Sequence, residues 1–449
     1  MKNKTVSALF AAAFLVMSLL PSAGMLIFGP SEPSANEILA QAPVLISKDG
    51  GFNPNVLSDV TDYIADRFAF RKQLVTAWAR LNAGIFGTSV ESQVILGTDG
   101  WLYYTPTMGD YMGESLPDEQ LVYAARNLAL MQEYSESRGA RFLFAIAPNK
   151  NSLYPGNMPK YIPASQEGGN AERLFTLLEK NGVSHADLFT VFKAQGDILY
   201  YRTDSHWTDR GAALAADAIL SAVGRDTAFY SSPFSRSGEH IGDLYEMLYP
   251  ASARGEVRES VSGGFAFTEK NSSGDANAMR IETENTSASG SVVCWRDSFG
   301  MSLYPYIADS FGSGLFLRAT SYDLTQIDKR EADTVIIELV ERNIIYLTEY
   351  APVLVAPTRE IGEYVEVQDH VSYNSKRSDG LACISGNLPA DADAQTRVYI
   401  VTDGGVFEAC VTFSSSGRVF TAHIDETLAV RQIAFYSQGV LTAFWAEAK

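Results

Sequence analysis

Apolar and polar positions along the chain fall into a few rhythms. Residues Pro54 to Gly84 carry apolar side chains at helical spacing, interrupted near Arg67-Phe68-Ala69-Phe70-Arg71. Two short apolar-aromatic runs, Val94-Ile95-Leu96 and Trp101-Leu102-Tyr103-Tyr104, flank Thr98-Asp99-Gly100, whose Asp-Gly supplies the positive-φ turn of a hairpin. Pro117 and Asp118 open a helix reaching Ser137, which Gly139 closes. Arg141 to Ile146 reads as a buried strand ending in Ala147-Pro148-Asn149-Lys150. A helix over 170–180 follows, then strand pieces at His185 to Leu188 and Ile198 to Tyr201, and a helix directly after Thr208. Strand and helix alternate, which predicts an α/β domain with a mainly parallel sheet.

The next stretch is less regular. Pro233 to Gly242 reads as loop, Gly242 to Leu248 as a short helix, and 271–290, rich in Ser, Asn, Thr and Gly, as surface loops. An apolar strand, Val292-Val293-Cys294-Trp295, then runs into Arg296-Asp297-Ser298-Phe299-Gly300 and a helix to Ala308. Asp333 to Val340 is a last strand before Glu341-Arg342-Asn343. After Tyr350, alternating runs such as Arg397 to Val401 and Arg418 to His423, with turns at Asp403-Gly404-Gly405 and Ser415-Ser416-Gly417, predict a small β-rich module, read as a sandwich. The expected division is an N-terminal signal anchor and the start of a tether over 1–30, a linker over 31–53, the α/β domain over 54–350 and the β-rich module over 351–449.

Composition narrows this picture. At 46% apolar and 20% charged residues, the 449-residue chain is globular rather than disordered. A net charge of −18 argues against a nucleic-acid partner. Cys294 sits in an apolar strand and reads as core, whereas Cys383 and Cys410 could bridge or be two buried thiols. At the N-terminus, Lys2 and Lys4 precede apolar residues 6–20, and apolar character resumes at Met25 to Phe28. The span is long enough to cross a bilayer, and no basic residue follows before Lys48, so the bulk of the chain is expected outside the cytoplasm. An uncleaved anchor is favoured over a cleaved signal, which would leave the protein secreted or periplasmic.

The chemistry concentrates in two stretches. Tyr200 to Gly211 holds Asp204 and His206 two residues apart in a short loop. An imidazole held by a carboxylate is half of a serine-hydrolase triad, and Ser298, at a strand-to-helix junction, is the candidate nucleophile. A lone loop histidine is usually solvated, and a serine at a helix start is usually a cap. Together, in an external α/β domain, the three favour acyl transfer. A metal site on Asp204, His206 and Asp209 is the rival, but it lacks a second histidine at ligand spacing, so no metal is expected. No Walker loop, dinucleotide fingerprint, H-E-x-x-H or G-x-S-x-G occurs, and no cofactor is called for. Among the nearby aromatics, Trp207 is the candidate for stacking on a sugar ring.

Thr203-Asp204-Ser205-His206-Trp207-Thr208 with Gly211 resembles the D-x-H-W signature of the alginate O-acetyltransferase group, the AlgX/AlgJ-like and DHHW proteins. Arg296-Asp297-Ser298-Phe299 resembles their nucleophile block. Asp66 to Arg71, Gly97 to Tyr103, Pro148-Asn149-Lys150 with Tyr154-Pro155, Gly242-Asp243-Leu244 and Glu341-Arg342 are similar too. The resemblance covers about residues 50 to 348. It implies an SGNH-hydrolase-like, three-layer α/β/α domain that transfers acetyl groups through Ser298, with His206 as base and Asp204 orienting it. It also implies a secreted or surface polysaccharide as acceptor and a membrane-bound O-acyltransferase as acetyl supplier. Arg342 and Asn149 are further candidates for binding substrate or an oxyanion, though each reads equally as loop bracing. Ser205 stands where many members carry histidine, and Arg296 replaces the glycine of the usual G-D-S block. Asp297 is by position a loop brace. An esterase of the same fold and a non-catalytic polysaccharide-binding or assembly protein are the alternatives.

Overall fold

Apolar residues at helical spacing organise the N-terminal third of the computed structural model, which describes residues 2–33, 39–47, 50–165, 168–271 and 274–449. Helix α1 spans Lys2–Phe28; the side chains of residues 2–4, 13, 17, 18 and 20–22 fall outside the description. Among the described residues no helix is long and apolar enough to cross a membrane, and the expected anchor rests partly on residues that are not described. Helices α2 (Val56–Arg67) and α3 (Arg71–Phe86) meet at the interruption seen in the sequence, where Phe70 takes φ 65°. Strands β1 (Val94–Leu96) and β2 (Leu102–Tyr104) pair antiparallel around a turn in which Asp99 and Gly100 both have positive φ.

Helix α4 (Asp118–Ser137) leads into β3 (Arg141–Ala147), and helix α5 (Asn170–Lys180) into β4, only His185–Ala186. The strand expected at 198–201 is reduced to a bridge between Tyr200 and Trp207, because the chain turns back immediately. Thr208 caps helix α6 (Asp209–Ala222) by accepting from the Gly211 amide. The loop expected at 233–242 is instead strand β5 (Phe234–His240), paired with β6 (Glu256–Val261) in a mostly exposed hairpin. Between them lies the expected short helix, α7 (Asp243–Leu248). The stretch read as surface loop supplies β8 (Arg280–Glu284), preceded by β7 (Thr268–Glu269). Strand β9 (Ser291–Trp295), helix α8 (Gly300–Asp309), β10 (Ser313–Leu317) and β11 (Thr334–Val340) complete the domain.

Seven strands form the central sheet in the order β4-β3-β11-β9-β10-β8-β7. The sheet is mixed: β4, β3, β11, β9 and β10 run parallel, and β8 and β7 extend one edge antiparallel. Side chains alternate along each strand, so the sheet feeds two cores. Leu143, Cys294 and Ile336 pack with α6 and α8, while Phe144, Trp295 and Ile337 pack with α4 and α5. The C-terminal edges of β3, β9 and β11 therefore open on one end of the sheet, where loops can carry chemistry without disturbing the core.

The C-terminal region is one eight-stranded sheet rather than two stacked ones. Its strands are β12 (Val365–Ser378), β13 (Leu381–Asn387), β14 (Arg397–Thr402), β15 (Val406–Glu408), β16 (Cys410–Ser414), β17 (Gly417–Asp425), β18 (Val430–Ser437) and β19 (Val440–Ala448), in the order β15-β14-β18-β19-β12-β13-β17-β16. They curl around a main core that includes Ile384, Ile400, Phe420 and Ile433, and Tyr399, Ala434 and Ala443 form a smaller one. The sheet is fastened to α4. Asn127 donates to Val411 O at 2.8 Å and accepts from its amide, Tyr123 Oη donates to Asp393 O at 2.6 Å, and Arg418 pairs with Glu119. All three cysteines are free, so Cys383 and Cys410 do not bridge.

Candidate active site

The loop carrying Asp204 and His206 is held from below by a buried cation. Lys150, just past β3, donates from Nζ to the carbonyls of Tyr201 (3.1 Å), Arg202 (3.0 Å) and Asp204 (2.5 Å). It also sits over the rings of Trp101 and Tyr103. Burial pushes its ammonium down to about 8, against the pull of Asp204, Asp243 and Glu256. Three carbonyls converging on one donor group fix the loop's backbone, which is what aims its side chains.

Asp204 is 3% exposed and its carboxylate accepts four hydrogen bonds. Oδ1 takes the His206 Nδ1 (2.7 Å) and the His206 amide (2.8 Å). Oδ2 takes His240 Nε2 (2.7 Å) and the Asp243 amide (2.9 Å). His240 comes from the end of β5 and stacks on Tyr201, with ring centroids 4.1 Å apart. Between His240 and Asp243 the chain crosses the Asp204 loop so closely that a Cβ at Gly242 would lie 2.2 Å from Thr203 O. Only glycine permits that approach.

On the other side of the imidazole, His206 Nε2 lies 2.9 Å from Ser298 Oγ. Ser298 owes its position to the end of β9. Arg296 N still bonds Leu317 O in the ladder, and Asp297 then organises the turn. Its Oδ1 accepts from the Phe299 amide (2.9 Å), and its Oδ2 from the Val340 amide (2.8 Å) and Asn343 Nδ2 (2.9 Å). Asp297 thus ties the serine turn to the end of β11. Arg296 is 2% exposed, and its Nη2 donates to Ala276 O (2.8 Å) and Ala278 O (3.0 Å). The turn forms with arginine at this position because the guanidinium is spent on those carbonyls, and because Gly300 leaves room for the Arg296 stem.

The electrostatics favour a basic imidazole. Burial works to lower the His206 pKa, but the charge and hydrogen bond of Asp204, with Asp243 adding to them, raise it above its ordinary 6.5. Burial works to raise Asp204, yet both imidazoles hold it well below the usual carboxylate range. Burial first, then the charge of Asp204, pushes Asp243 up. Asp243 accepts from Ser205 Oγ (2.6 Å) and the Ser205 amide (2.8 Å) and stands 3.6 Å from His206 Nδ1. Glu338, on β11 beside the serine turn, is pushed far above its ordinary value by burial and by Asp297. Chemically, this chain of groups can take a proton from Ser298 as its oxygen attacks a carbonyl carbon.

Ser298 and His206 open on a cleft of about 990 Å³, also lined by Arg318, Tyr322, Arg342 and Tyr346. The Arg342 guanidinium lies 5.4 Å from the Tyr104 ring and 5.5 Å from that of Phe299, and Arg342 shares the cleft with His206 and Ser298. Trp207 does not. It is 1% exposed, and its indole Nε1 donates to Phe299 O (3.1 Å) and Ser302 Oγ (2.8 Å). The position selected for sugar stacking is a core residue that fastens the histidine loop to the serine turn. Asn149 is also buried away from the cleft lining; its amide donates to Glu341 Oε2 at 2.8 Å. Asp209 pairs with Arg258 (3.1 Å) rather than joining His206. Asp204, His206 and Asp243 offer ligand atoms within 4.8 Å of one another, though all three are engaged in the hydrogen bonds above. His240, Asp243 and Lys150 went unnoticed as site residues in the sequence. Asp243, inside Gly242-Asp243-Leu244, and Lys150, inside Pro148-Asn149-Lys150, each lay in a stretch the resemblance had marked, whereas His240 did not.

Known proteins resemble this chain over part of its length. Residues 94–262 match the family model described as SGNH hydrolase-like domain, acetyltransferase AlgX; the segment contains Asp204, His206, His240 and Asp243 and ends before Ser298. The motif resemblance is thereby borne out. Among individual proteins, the chain is similar to the probable alginate O-acetylase AlgJ of Pseudomonas syringae pv. tomato, 30% identical over 174 residues, covering 37% of this chain and 42% of that protein. The Pseudomonas putida protein of the same name is 30% identical over 204 residues, covering 42% and 50%. The chain spans about half the length of the curated relatives it matches. Among solved structures, Bacillus cereus PatB1 with a sulfonyl adduct aligns at TM-score 0.45 and 20% identity, covering 56% of this chain and 95% of that one.

Proposed function

We propose that this chain is an extracytoplasmic O-acetyltransferase that acetylates hydroxyls of a secreted or cell-surface polysaccharide through an acetyl-serine. The carrying observation is the hydrogen-bonded chain Asp204–His206–Ser298, with links of 2.7 and 2.9 Å. In this reading His206 Nε2 takes the Ser298 proton as Oγ bonds to the donor's acetyl carbon. The tetrahedral intermediate then expels the donor's leaving group, which takes that proton from His206. An acceptor hydroxyl next gives its proton to His206 and attacks the acetyl carbon, and Ser298 departs with the proton restored. Asp204 keeps Nδ1 protonated, so that Nε2 faces the serine as an acceptor. Arg342 contributes positive charge to the cleft where the acyl oxygen becomes negative.

In the same reading residues 54–350 form a three-layer, SGNH-like catalytic domain and 351–449 an attached β-rich module. Helix α1 anchors the protein to the cell membrane, and a membrane-bound O-acyltransferase delivers the acetyl groups. Brief exposure to an activated acetyl ester, followed by peptide mass spectrometry, tests the mechanism. An acetylated peptide spanning Ser298 in the parent, lost in Ser298→Ala, is expected; acetylation and turnover that survive the substitution refute it. With an oligosaccharide acceptor present, acetate found only free in solution would make the enzyme an esterase.

A further inference from the structure

Helix α3 faces the wrong way for a helix of a soluble protein. Thr76 and Ala79 are buried against the body, so the opposite face should be polar. Instead it carries Leu74, Trp78, Leu81 and Ile85, one stripe at successive turns, with Trp78 58% and Ile85 68% exposed. The helix has three basic residues, Arg71, Lys72 and Arg80, and no acidic one, in a chain of net charge −18. An outward apolar stripe on a cationic helix is the signature of a surface that lies in a bilayer's headgroup region.

The start of α3 is also where α1 leaves the body. Ser31 N donates to Arg67 O (2.9 Å), Arg67 Nε to Ala40 O (2.7 Å), and Ala40 N to Asp66 Oδ2 (2.9 Å). The Phe28 ring meets that of Phe70, centroids 5.3 Å apart, and Gly24 packs against Ala69. The apolar end of α1, with Leu26 and Ile27 exposed, is thus fastened to the corner from which the stripe begins.

We infer that α3 is an interfacial helix: its Leu74–Trp78–Leu81–Ile85 face rests on the anionic membrane surface and holds the body against the bilayer. This rests on the membrane-anchor part of the proposed function. The test is to label the full-length protein, in a Cys383→Ser background, with an environment-sensitive dye at Ile85→Cys, at Leu9→Cys in α1, or at the exposed Ser415→Cys of the C-terminal sheet. Each is reconstituted into phosphatidylethanolamine–phosphatidylglycerol vesicles containing nitroxide-labelled lipid. Quenching at position 85 at least about threefold stronger than at 415 supports the inference, since an interfacial residue sits within the acyl–headgroup boundary. Full access of iodide to position 85, equal to that at 415, overturns it, and assigns the stripe to a protein partner absent from the vesicles. Lipid quenching at position 9 without quenching at 85 keeps the anchor and removes the interfacial helix; quenching at 85 without quenching at 9 does the reverse.

Discussion

Asp204→Asn is the substitution that most directly interrogates the site. The carboxylate now accepts from four donors, two of them the backbone amides of His206 and Asp243, which cannot turn away. A carboxamide has one acceptor oxygen and one donor group. If its oxygen faces His206, its NH₂ opposes the Asp243 amide. If its oxygen faces Asp243, its NH₂ opposes the His206 amide and drives the imidazole to carry its proton on Nε2, where it cannot accept from Ser298. Either way a buried donor is left without an acceptor, at about 1–3 kcal/mol, and loss of the buried ion pair brings the total to roughly 3–5 kcal/mol. In the second arrangement the wrong tautomer lowers turnover by about 10⁴, the scale known for this change in an unrelated serine protease.

The pH dependence of that loss has a definite sign. The depressed pKa of Asp204 contributes stability that is present above 3.8 and lost as pH falls through the lower folded value. The raised pKa of His206 contributes stability that is present below 6.5 and lost as pH rises through the folded value. The stability gap between parent and variant is therefore widest between pH 3.8 and 6.5 and narrows above it. Chemical denaturation across this range, with hydrolysis of a fluorogenic acetyl ester at pH 8, measures both quantities. A folded variant that retains turnover within about tenfold of the parent while imidazole NMR shows its His206 proton on Nε2 would refute the claim that the tautomer carries the loss.

The second imidazole should matter through Asp204 alone. His240→Ala lowers kcat by about 10–100-fold with KM for the ester unchanged, whereas His240→Gln, which retains a donor, recovers much of the loss. Lys150→Met strands three carbonyls and costs about 3 kcal/mol, seen as a lower denaturation midpoint; an unchanged midpoint would show that the loop does not depend on the ammonium. Trp207→Phe removes the indole donor and leaves a void, costing about 2–4 kcal/mol of stability with KM for an oligosaccharide acceptor unchanged, where a stacking role would raise KM.

Much of this arrangement could be read along the chain, because much of it is local. The helix break at Phe68 to Phe70, the Asp-Gly hairpin and the apolar runs of β3, β9 and β11 each announce themselves within a few residues. The Asp204–His206 pair is legible because two residues of spacing suffice to bring the side chains together. His240 left no such trace: it ends an exposed hairpin whose polar strands lack alternation, and only the crossing at Gly242 places it on Asp204. Lys150 lay in a stretch that the resemblance marked, Pro148-Asn149-Lys150, but nothing nearby in the sequence gave it a role. Its role depends on carbonyls more than fifty residues downstream. Trp207 misled for the opposite reason, since an aromatic beside a candidate histidine is equally well a buried strut. The C-terminal sheet showed its strands but not their order, because the parallel pairing of β12 with β19 joins the first and last strands.

The grip of α4 on the C-terminal sheet bears on how the chain can be dissected. Asn127, deep in α4, finds both of its partners on Val411, and Tyr123 and Arg126 reach Asp393 O and Thr396 O. Cutting the polypeptide near Tyr350 would bare this seam and leave a carboxamide facing solvent from inside an apolar helix face. Heat should therefore melt the two halves in a single calorimetric peak, and a shortened protein would inherit a sticky flank in place of an independently folding domain.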